Sequence, residues 1–391
     1  MRMTTWWCAA LLAAAVPGCK KKDSGQAEQS AAKTTTGETK TGSADMTGSG
    51  QQMATGSGTA VAETPKAVTP DDLAKRYVEC WGFWNQKDWK NMATCYASNI
   101  SSEQVDSGMP PMTTADQINA GHQMIATAFP DRKGDLEVTL INGHNGATFA
   151  LFTGTNSGPM KTPNGEIPPT NKKVGMQMAH AVHFTDDGKA ADKEWSYMDM
   201  GEMMGQLGLS KGPVRPAVDK PWHDNEIVTA KDDANEKRNL QSTTTGMEAF
   251  NKHDTKAMAA LEADSLVWSE TGMPKDTNKA ETAKSDDAMF KAFPDVKLAS
   301  DTMWAAGDYV VVQGTMTGTN TGDWKEMGLK KTGKPITMHF MQLFKYDKDG
   351  KLTNSWGYWN SAAFAQQLGM TPPAGAATEK TEKKEAPAKK K

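Results

Sequence analysis

The chain has 391 residues, and its 44 Lys and Arg against 47 Asp and Glu give a formal net charge of −3. This near-neutral balance lacks the basic footprint of a nucleic-acid-binding protein, so we expect no nucleic-acid partner. No apolar run approaches the roughly 20 residues of a bilayer-spanning helix, which predicts a soluble body. The length allows two to three domains at roughly 150 residues each.

The N-terminus predicts a secretory leader. Arg2 precedes an apolar stretch over residues 6–16, which is the order of charge and short apolar core in a signal peptide. The ending Gly18-Cys19 resembles the lipobox of bacterial lipoproteins, in which the cysteine thiol receives a diacylglycerol and becomes the mature N-terminus. The resemblance implies a signal peptide over residues 1–18 and a membrane anchor at Cys19. An ordinary secretory signal that is cut elsewhere is the alternative.

Two segments flank the predicted folded part and have the composition of disordered chain. Residues 19–68 contain no Leu, Ile, Phe, Trp or Tyr, so they cannot bury enough apolar area to fold. Residues 371–391 are rich in Ala, Lys, Glu and Pro and predict a second disordered tail. Lys20 follows the cysteine, where many enteric lipoproteins retained in the inner membrane carry aspartate. The lipoprotein resemblance therefore implies the cell envelope, and the outer membrane facing the periplasm if the source has two membranes.

Two cysteines remain in the predicted folded part, Cys80 and Cys95. An even pair in an oxidising envelope is typical of one disulfide. Both residues fall on successive predicted helices, which can bring them within bonding range. Two separate buried thiols are the alternative.

The body contains a duplicated unit. Phe-Pro-Asp at residues 129–131 recurs at 293–295, and Thr-Gly-Thr-Asn at 153–156 recurs at 317–320, in both cases 164 positions later. A fixed separation of several motifs is the signature of an internal repeat. The sequence therefore predicts two homologous domains joined by a proline-containing linker. Their bounds are 69–210 for the first domain, 211–227 for the linker and 228–370 for the second domain.

Helices precede strands within each predicted domain. In the first domain, Thr69 followed by Pro70 and two acids predicts a helix start. The predicted helices are 70–86, 88–96, 114–128 and a final turn over 202–207, and the predicted strands are 135–142, 146–156, 173–185 and 190–199. The second domain repeats this order. Helices followed by consecutive strands indicate an α+β fold with an antiparallel sheet.

The order of these landmarks resembles a known family. Phe-Pro-Asp is followed by Thr-Gly-Thr-Asn-x-Gly, by a strand that ends in Phe184 with Asp-Gly-Lys at 187–189, by Trp195 and Asp199, and by Gln-Leu-Gly at 206–208. This order resembles the SnoaL-like branch of the NTF2-like superfamily. The resemblance implies that each domain is a cone of three helices on a strongly curved sheet around an apolar pocket. Members include polyketide (ester) cyclases, which use acid–base chemistry without cofactor or metal.

Strand alternation predicts which side chains enter the first cone. His180 shares one strand face with apolar residues, and Asp199 shares a face of the next strand with Trp195 and Tyr197. By resemblance, His180 and Asp199 occupy the places of the family's pocket histidine and acid–base aspartate. An apolar pocket raises the pKa of a carboxylate, which suits a base that works near neutral pH. A buried histidine that only hydrogen-bonds a neighbouring acid is the alternative.

The second domain departs from this pattern. Gln342 and Asn360 stand where the first domain has His180 and Asp199, so any catalysis is expected in the first domain. Amide side chains beside aromatic residues are suited to orienting a ligand. The residues predicted to bind ligand in the two domains are Asn156, Trp195, Tyr197, Asn320, Gln342, Trp356, Tyr358 and Asn360.

The sequence predicts neither a metal nor a cofactor. His180 and His183 are three apart on a strand, so they face opposite sides and cannot chelate one ion together. No zinc, calcium or nucleotide-binding motif is present in the sequence.

Three functions remain open at this stage. The first is a cell-envelope lipoprotein whose two pockets bind a small apolar or aromatic molecule, with acid–base capacity in the first domain. The second is a cyclase or isomerase that acts through His180 and Asp199. The third is a non-catalytic protein-interaction module, because NTF2-like domains often pair through their sheets and the two copies could form an intramolecular pseudo-dimer.

Overall fold

The structure is a computed structural model that describes residues 67–162, 165–210, 214–325 and 327–370. The predicted signal peptide, the lipid site at Cys19 and the predicted C-terminal tail lie outside the described residues, as does the tether apart from its last two residues. Among the described residues, no helix combines the length and the apolar character needed to cross a membrane.

The first repeat begins with helices and continues with strands, as expected. Its elements are α1 (Pro70–Gln86), α2 (Trp89–Met92), a 3₁₀ turn (Ala93–Cys95), β1 (Tyr96–Gln104), α3 (Ala115–Ala128), β2 (Lys133–Asn142), β3 (Asn145–Thr155), β4 (Met160–Thr162), β5 (Gly165–Ile167), β6 (Lys173–Phe184), β7 (Ala191–Tyr197) and α4 (Met200–Gln206).

The second repeat follows the same order after one short additional strand. Its elements are β8 (Glu226–Thr229), α5 (Ala234–Asn251), α6 (Thr255–Leu261), β9 (Glu262–Glu270), β10 (Thr277–Asn278), α7 (Lys279–Ala292), β11 (Lys297–Ala306), β12 (Tyr309–Thr319), β13 (Pro335–Tyr346), β14 (Leu352–Tyr358) and α8 (Ser361–Gln367).

Capping residues set the limits of the long helices. At the start of α1, the Thr69 hydroxyl accepts a hydrogen bond from the Asp72 backbone N–H at 3.2 Å, and the Asp72 carboxylate accepts one from the Thr69 N–H at 3.1 Å. This reciprocal pair is the capping box that the sequence predicts. The helix ends at Lys87, which adopts the left-handed conformation with φ of 60°.

Each repeat builds one six-stranded mixed sheet. The first sheet has the order β1-β7-β6-β3-β2-β8, and the second has the order β10-β9-β14-β13-β12-β11. The central pairs are antiparallel, but β1 runs parallel to β7, β8 to β2, and β9 to β14. The predicted α+β class is confirmed, and the expected antiparallel sheet is corrected to a mixed one. Strands β1 and β9 each follow a helix and pair with the last strand of their repeat, and β8 adds to the first sheet beside β2.

The segment between the repeats is part of the first sheet. Strand β8 lies beside β2, with Glu226 opposite Val138 and Thr229 opposite Ile141. The predicted boundary between linker and second domain falls inside this strand. The structure therefore ties the start of the second repeat to the edge of the first.

The two sheets pack against each other through their backs, away from the helices. One buried apolar cluster combines Phe149 of the first sheet with Tyr309 and Tyr358 of the second, and the rings of Phe149 and Tyr358 are 5.4 Å apart. Each such side chain contributes about 2 kcal/mol when fully buried. Gln313 also donates a hydrogen bond across the contact to the Tyr197 hydroxyl at 3.1 Å. The front of each sheet is thereby left for the helices and the cavities.

Candidate functional site

A cavity of about 130 Å³ lies between the helices and the front of the first sheet. Its walls are mainly apolar and aromatic, with Trp81 and Trp84 from α1 and Phe152 from β3. The polar or ionisable side chains among its lining residues are Tyr77, Tyr96, Ser102, Gln104, His122, His180, Glu194 and Ser196. An enclosed apolar site with a few convergent polar groups is the usual form of a small-molecule site.

His180 lies in this cavity, as the strand alternation predicts. Its Nδ1 is 2.7 Å from the Tyr77 hydroxyl oxygen, and its Nε2 is 3.5 Å from Glu194 Oε1. The Tyr77 hydroxyl donates to the His180 backbone carbonyl at 2.9 Å. The Tyr77 hydroxyl is thus within hydrogen-bond distance of both the ring and the backbone of His180. The ring is therefore oriented with Nε2 towards Glu194.

Glu194 supplies the single carboxylate among the described residues that line the cavity. Its side chain is only 9% exposed, and its Oε1 accepts a hydrogen bond from the Ser102 hydroxyl at 2.9 Å. Burial acts to raise the pKa of Glu194, but the attraction of His180 and the hydrogen bonds from His180 and Ser102 outweigh it and lower the pKa. Glu194 is therefore ionised at neutral pH, inside an apolar cavity.

His122 is a cavity residue that the sequence analysis missed. It stacks on Trp89 with ring centroids 6.2 Å apart and meets the edge of Trp84 at 6.3 Å. Burial lowers the pKa of His122 to about 4, so the imidazole is neutral at pH 7. Its spacing on α3 from Ile118 and Ile125, which also line the cavity, is the helical period that could have found it.

Asp199 does not enter the cone, which corrects the expected pairing with His180. It is the N-cap of α4, and its Oδ1 accepts hydrogen bonds from the Gly201 N–H at 2.8 Å and the Ser361 hydroxyl at 2.7 Å. The reason is strand register: β7 ends at Tyr197, and Ser196 lies opposite His180. Residues opposite each other share a face, so Ser196 and Glu194 face the cavity together with His180.

The four predicted aromatic ligand residues also lie on the back of their sheets. Trp195 and Tyr197 belong to the contact between the repeats. In the second repeat, Trp356 stacks on Trp222 with centroids 4.5 Å apart, and Tyr358 packs on Phe149 across the contact. The same register argument applies to both repeats, so the predicted placement of these four side chains in the cones is wrong.

Asn156 and Asn320 hold equivalent turns and do not line the cavities. The Asn156 amide donates to the backbone carbonyls of Ala128 at 3.1 Å and Gly158 at 2.9 Å. Asn320 makes the corresponding bond to Gly322 at 2.8 Å. Both side chains are fully buried, so these residues stabilise the loops that follow β3 and β12.

Of the two remaining predicted ligand residues of the second repeat, one lies in the second cavity and the other caps a helix. Gln342 lines the second cavity and donates a hydrogen bond to the Ser355 hydroxyl at 2.6 Å. Asn360 is the N-cap of α8, where its Oδ1 accepts from the Ala362 N–H at 3.1 Å. Asn360 thus matches Asp199 in position and in capping role.

A disulfide joins Cys80 of α1 to Cys95 of the 3₁₀ turn, with Cα atoms 6.0 Å apart. Of the two alternatives left open by the sequence, the structure therefore has the bridge. Both half-cystines line the first cavity. Among the residues that the structure describes, no group of three His, Cys, Asp or Glu is placed to hold a metal ion.

Comparison with known proteins identifies the repeated unit. The family model for SnoaL-like polyketide cyclase matches residues 71–207 and again residues 242–368. No curated protein sequence matches the chain.

Several solved structures resemble one repeat. AclR from Streptomyces galilaeus is 23% identical over 35% of this chain and 99% of its own, with a TM-score of 0.32. IdmH from Streptomyces antibioticus is 21% identical over 34% of this chain and 98% of its own, with a TM-score of 0.30. An NTF2-like protein from Burkholderia pseudomallei is 17% identical over 34% of this chain and 97% of its own, with a TM-score of 0.28. The two matches of the family model confirm the predicted tandem of SnoaL-like domains, and the chain belongs to the SnoaL-like polyketide cyclase family.

Proposed function

We propose that the first repeat binds a small apolar or aromatic molecule and exchanges a proton with it through His180 and Glu194. The observation that carries this proposal is the 3.5 Å approach of His180 Nε2 to Glu194 Oε1 inside an aromatic-walled cavity. Family membership supplies the reaction class, because cyclisation of a polyketide begins with removal of a proton from a carbon beside a carbonyl.

Glu194 is the proton acceptor in this scheme. Its lowered pKa keeps it ionised, and the apolar walls exclude the water that would otherwise stabilise its charge. The proton passes from the substrate carbon to the carboxylate, and the electron pair moves onto the carbonyl oxygen as an enolate. Attack of that enolate on a second carbonyl of the same molecule closes the ring and breaks the π bond of that carbonyl, and the proton on Glu194 then passes to the resulting alkoxide, which restores the carboxylate. His180 and Ser102 hold the carboxylate in place by hydrogen bonds.

The second repeat binds a ligand without this chemistry. Gln342 and Ser355 occupy the strand positions of His180 and Glu194, as the pairing of β13 with β14 and of β6 with β7 indicates. Neither an amide nor a hydroxyl exchanges a proton near neutral pH. The second repeat nevertheless keeps a cavity, of about 170 Å³.

A cell-envelope location is part of the proposal. We propose that Cys19 carries a lipid and holds the two repeats at a membrane surface. The Cys80–Cys95 bridge supports an oxidising compartment, because disulfides persist mainly outside the cytosol. Labelling with a radioactive fatty acid should mark the wild-type chain and leave Cys19→Ala unmarked. A label that survives this substitution contradicts the anchor.

A protein-interaction module is the second candidate function. The packing of Phe149 and Tyr309 between the two sheets favours an intramolecular pseudo-dimer, which leaves the outer helices to meet a partner. Failure of both cavities to take any ligand would favour this candidate over the first.

Deuterium exchange tests the acid–base proposal without knowledge of the substrate. The bicyclic aryl ketone α-tetralone is incubated with the chain in D₂O, and loss of its α-proton signal is followed by NMR. Glu194→Gln should slow the enzymatic exchange on the order of 10²- to 10⁴-fold, because it removes the base. Asp199→Asn is the matched control, since it makes the same chemical change outside the cavity. Equal rates for wild type and Glu194→Gln would overturn the proposal.

A further inference from the structure

The second cavity is lined by aromatic and sulfur-containing side chains from several elements. Its volume is about 170 Å³. Seven methionines face it, and its principal aromatic walls are Phe250, Trp268, Trp324, Phe340, Phe344 and Trp359. Two carboxyl side chains, Glu270 and Asp286, face the same space. A site for a purely apolar ligand would not place carboxyl groups beside its aromatic walls.

Both carboxyl groups stand where the first repeat has uncharged side chains. Asp286 on α7 is 164 positions after His122 on α3, and the two helices have the same length and the same offset. Glu270 is the last residue of β9, and Gln104 is the last residue of β1. The second repeat has therefore gained acidity at two places while losing the proton-exchanging pair of the first.

The charge of these carboxyl groups is only partly balanced by protein cations. Glu270 accepts a hydrogen bond from the Trp268 indole N–H at 2.7 Å, and Arg215 lies close enough to attract it while pairing with Asp276 at 2.7 Å. No hydrogen bond or ion pair of the Asp286 carboxyl occurs among the described residues.

Lys275 is the cation among the described residues that line the cavity. Its ammonium pairs with the exposed Glu281 at 2.6 Å, and its side chain is 67% exposed. The ammonium is thus engaged at the surface, away from Asp286. The carboxyl group of Asp286 therefore faces the cavity without a protein cation paired to it among the described residues.

We propose that the second cavity is a binding site for an organic cation of the quaternary or protonated ammonium class. The faces of Trp, Tyr and Phe attract such cations, and the attraction is strongest where water is excluded. Asp286 supplies the opposite charge, Glu270 adds to it, and the methionines adapt to the alkyl groups. The inference deepens the proposed function, since it rests on the proposal that this cavity takes a small molecule.

Protonation of the carboxyl groups in the cavity should also make cation binding depend on pH. Burial and the charges of Glu270, Glu262 and Asp287 raise the pKa of Asp286 to about 8, and burial also raises that of Glu270. Without a bound cation, Asp286 therefore holds a proton at neutral pH, whereas a bound cation favours the ionised carboxylate. Cation binding should release a proton, so affinity should increase as the pH rises from 6.5 to 8.5. Lys275 lines the cavity and Arg215 attracts Glu270, so both side chains oppose the binding of a further cation.

Calorimetric titration of the full chain with choline and its uncharged isostere 3,3-dimethylbutan-1-ol tests the inference. At pH 8.5, choline should bind at least tenfold more tightly than the isostere. Asp286→Asn should weaken choline binding at least tenfold, leave the isostere unaffected and reduce the pH dependence. Asp264→Asn is the matched control, because it makes the same change at an exposed position outside the cavity lining, and it should alter affinity less than twofold.

The outcomes separate this inference from the proposed function. Equal binding of choline and the isostere, or choline binding that survives Asp286→Asn, overturns the cation site and leaves a cavity for neutral ligands. Binding of neither probe overturns the cation site and removes the support for a ligand in the second repeat. If thermal unfolding shows that Asp286→Asn does not fold, Glu270→Gln is titrated instead, and an unchanged ratio between the two probes contradicts the inference.

Discussion

The same two strand positions carry different chemistry in the two repeats. In the first sheet they hold His180 and Glu194, 3.5 Å apart. In the second they hold Gln342 and Ser355, joined by a hydrogen bond of 2.6 Å. Both pairs satisfy each other's polar atoms across adjacent strands, so both are compatible with the fold. Strand register therefore determines where a polar pair enters the cavity, and the identity of the two side chains determines whether the pair can transfer a proton.

A second contrast lies on the helix that covers the cavity. His122 on α3 is neutral, because burial lowers its pKa to about 4. Asp286 on α7 has its pKa raised to about 8 by burial and neighbouring acids. The apolar surroundings therefore disfavour charge in both cavities, and they shift a base and an acid in opposite directions.

The largest effect is expected from making the first cavity resemble the second. The double variant His180→Gln, Glu194→Ser should keep its fold, because the second repeat already accommodates this pair. Its deuterium exchange of α-tetralone should fall on the order of 10²- to 10⁴-fold with the loss of the base. NMR measures the rate, and circular dichroism checks the fold. A folded variant that retains the wild-type rate would place the chemistry outside this pair.

Much of the fold could be predicted because local signals determine it. The capping box at Thr69 and the Phe-Pro break after α3 gave helix limits within a residue of those observed. Strand β1 was missed because its sequence is largely polar and it pairs with β7, about 90 residues later in the chain. Strand β8 was missed for the same reason: it is short and depends on a non-local partner.

The site could be predicted only in part, because the face of β7 depends on its register with β6. Alternation within β6 correctly placed His180 in the cavity. Ser196 lies opposite His180 and Glu194 lies opposite Val182, and this register cannot be read from either strand alone. Glu194, rather than Asp199, therefore meets His180. A one-residue error in register moves every side chain of a strand to the opposite face.

The disulfide provides the next largest difference between the repeats. Cys80 and Cys95 are 15 positions apart, and closing a loop of this length stabilises the folded state by about 3 kcal/mol. The double variant Cys80→Ala, Cys95→Ala should increase amide exchange in α1 about a hundredfold and leave α5, whose repeat lacks these cysteines, less affected. Mass-spectrometric hydrogen exchange compares the two helices. Equal loss of protection in both would show that the repeats unfold as one unit.

A smaller effect on stability is expected at Gly175, where the linker crosses the first sheet. Gly175 and Thr337 are equivalent: each exchanges backbone hydrogen bonds with a glutamine, Gln206 or Gln367. A Cβ atom at Gly175 would lie 1.7 Å from the Val218 carbonyl oxygen, so Gly175→Ala should displace the linker and cost about 2 kcal/mol. Thr337→Ala, at an exposed site, should change stability by less than about 0.5 kcal/mol. Chemical denaturation measures both, and equal effects would contradict the role of the linker.

The pH dependence of stability should separate the two cavities by its sign. The folded pKa of His122, about 4, lies below its ordinary value of 6.5, so its contribution is present above pH 6.5 and is lost as the pH falls towards 4. The folded pKa of Asp286, about 8, lies above its ordinary value of 3.8. Its contribution is therefore present at low pH and is lost as the pH rises through 8.

Replacing each residue by asparagine isolates its contribution between pH 7 and pH 5. Relative to wild type, His122→Asn should lose less stability on acidification, and Asp286→Asn should gain less, each by roughly 1 kcal/mol per pH unit. Denaturant unfolding at several pH values measures these slopes, and Asp264→Asn serves as the control because this side chain is exposed and does not line the cavity. The opposite signs matter more than the sizes, because both follow from one cause, the apolar surroundings of each cavity. Slopes of the same sign in the two variants would mean that the cavities do not share that environment.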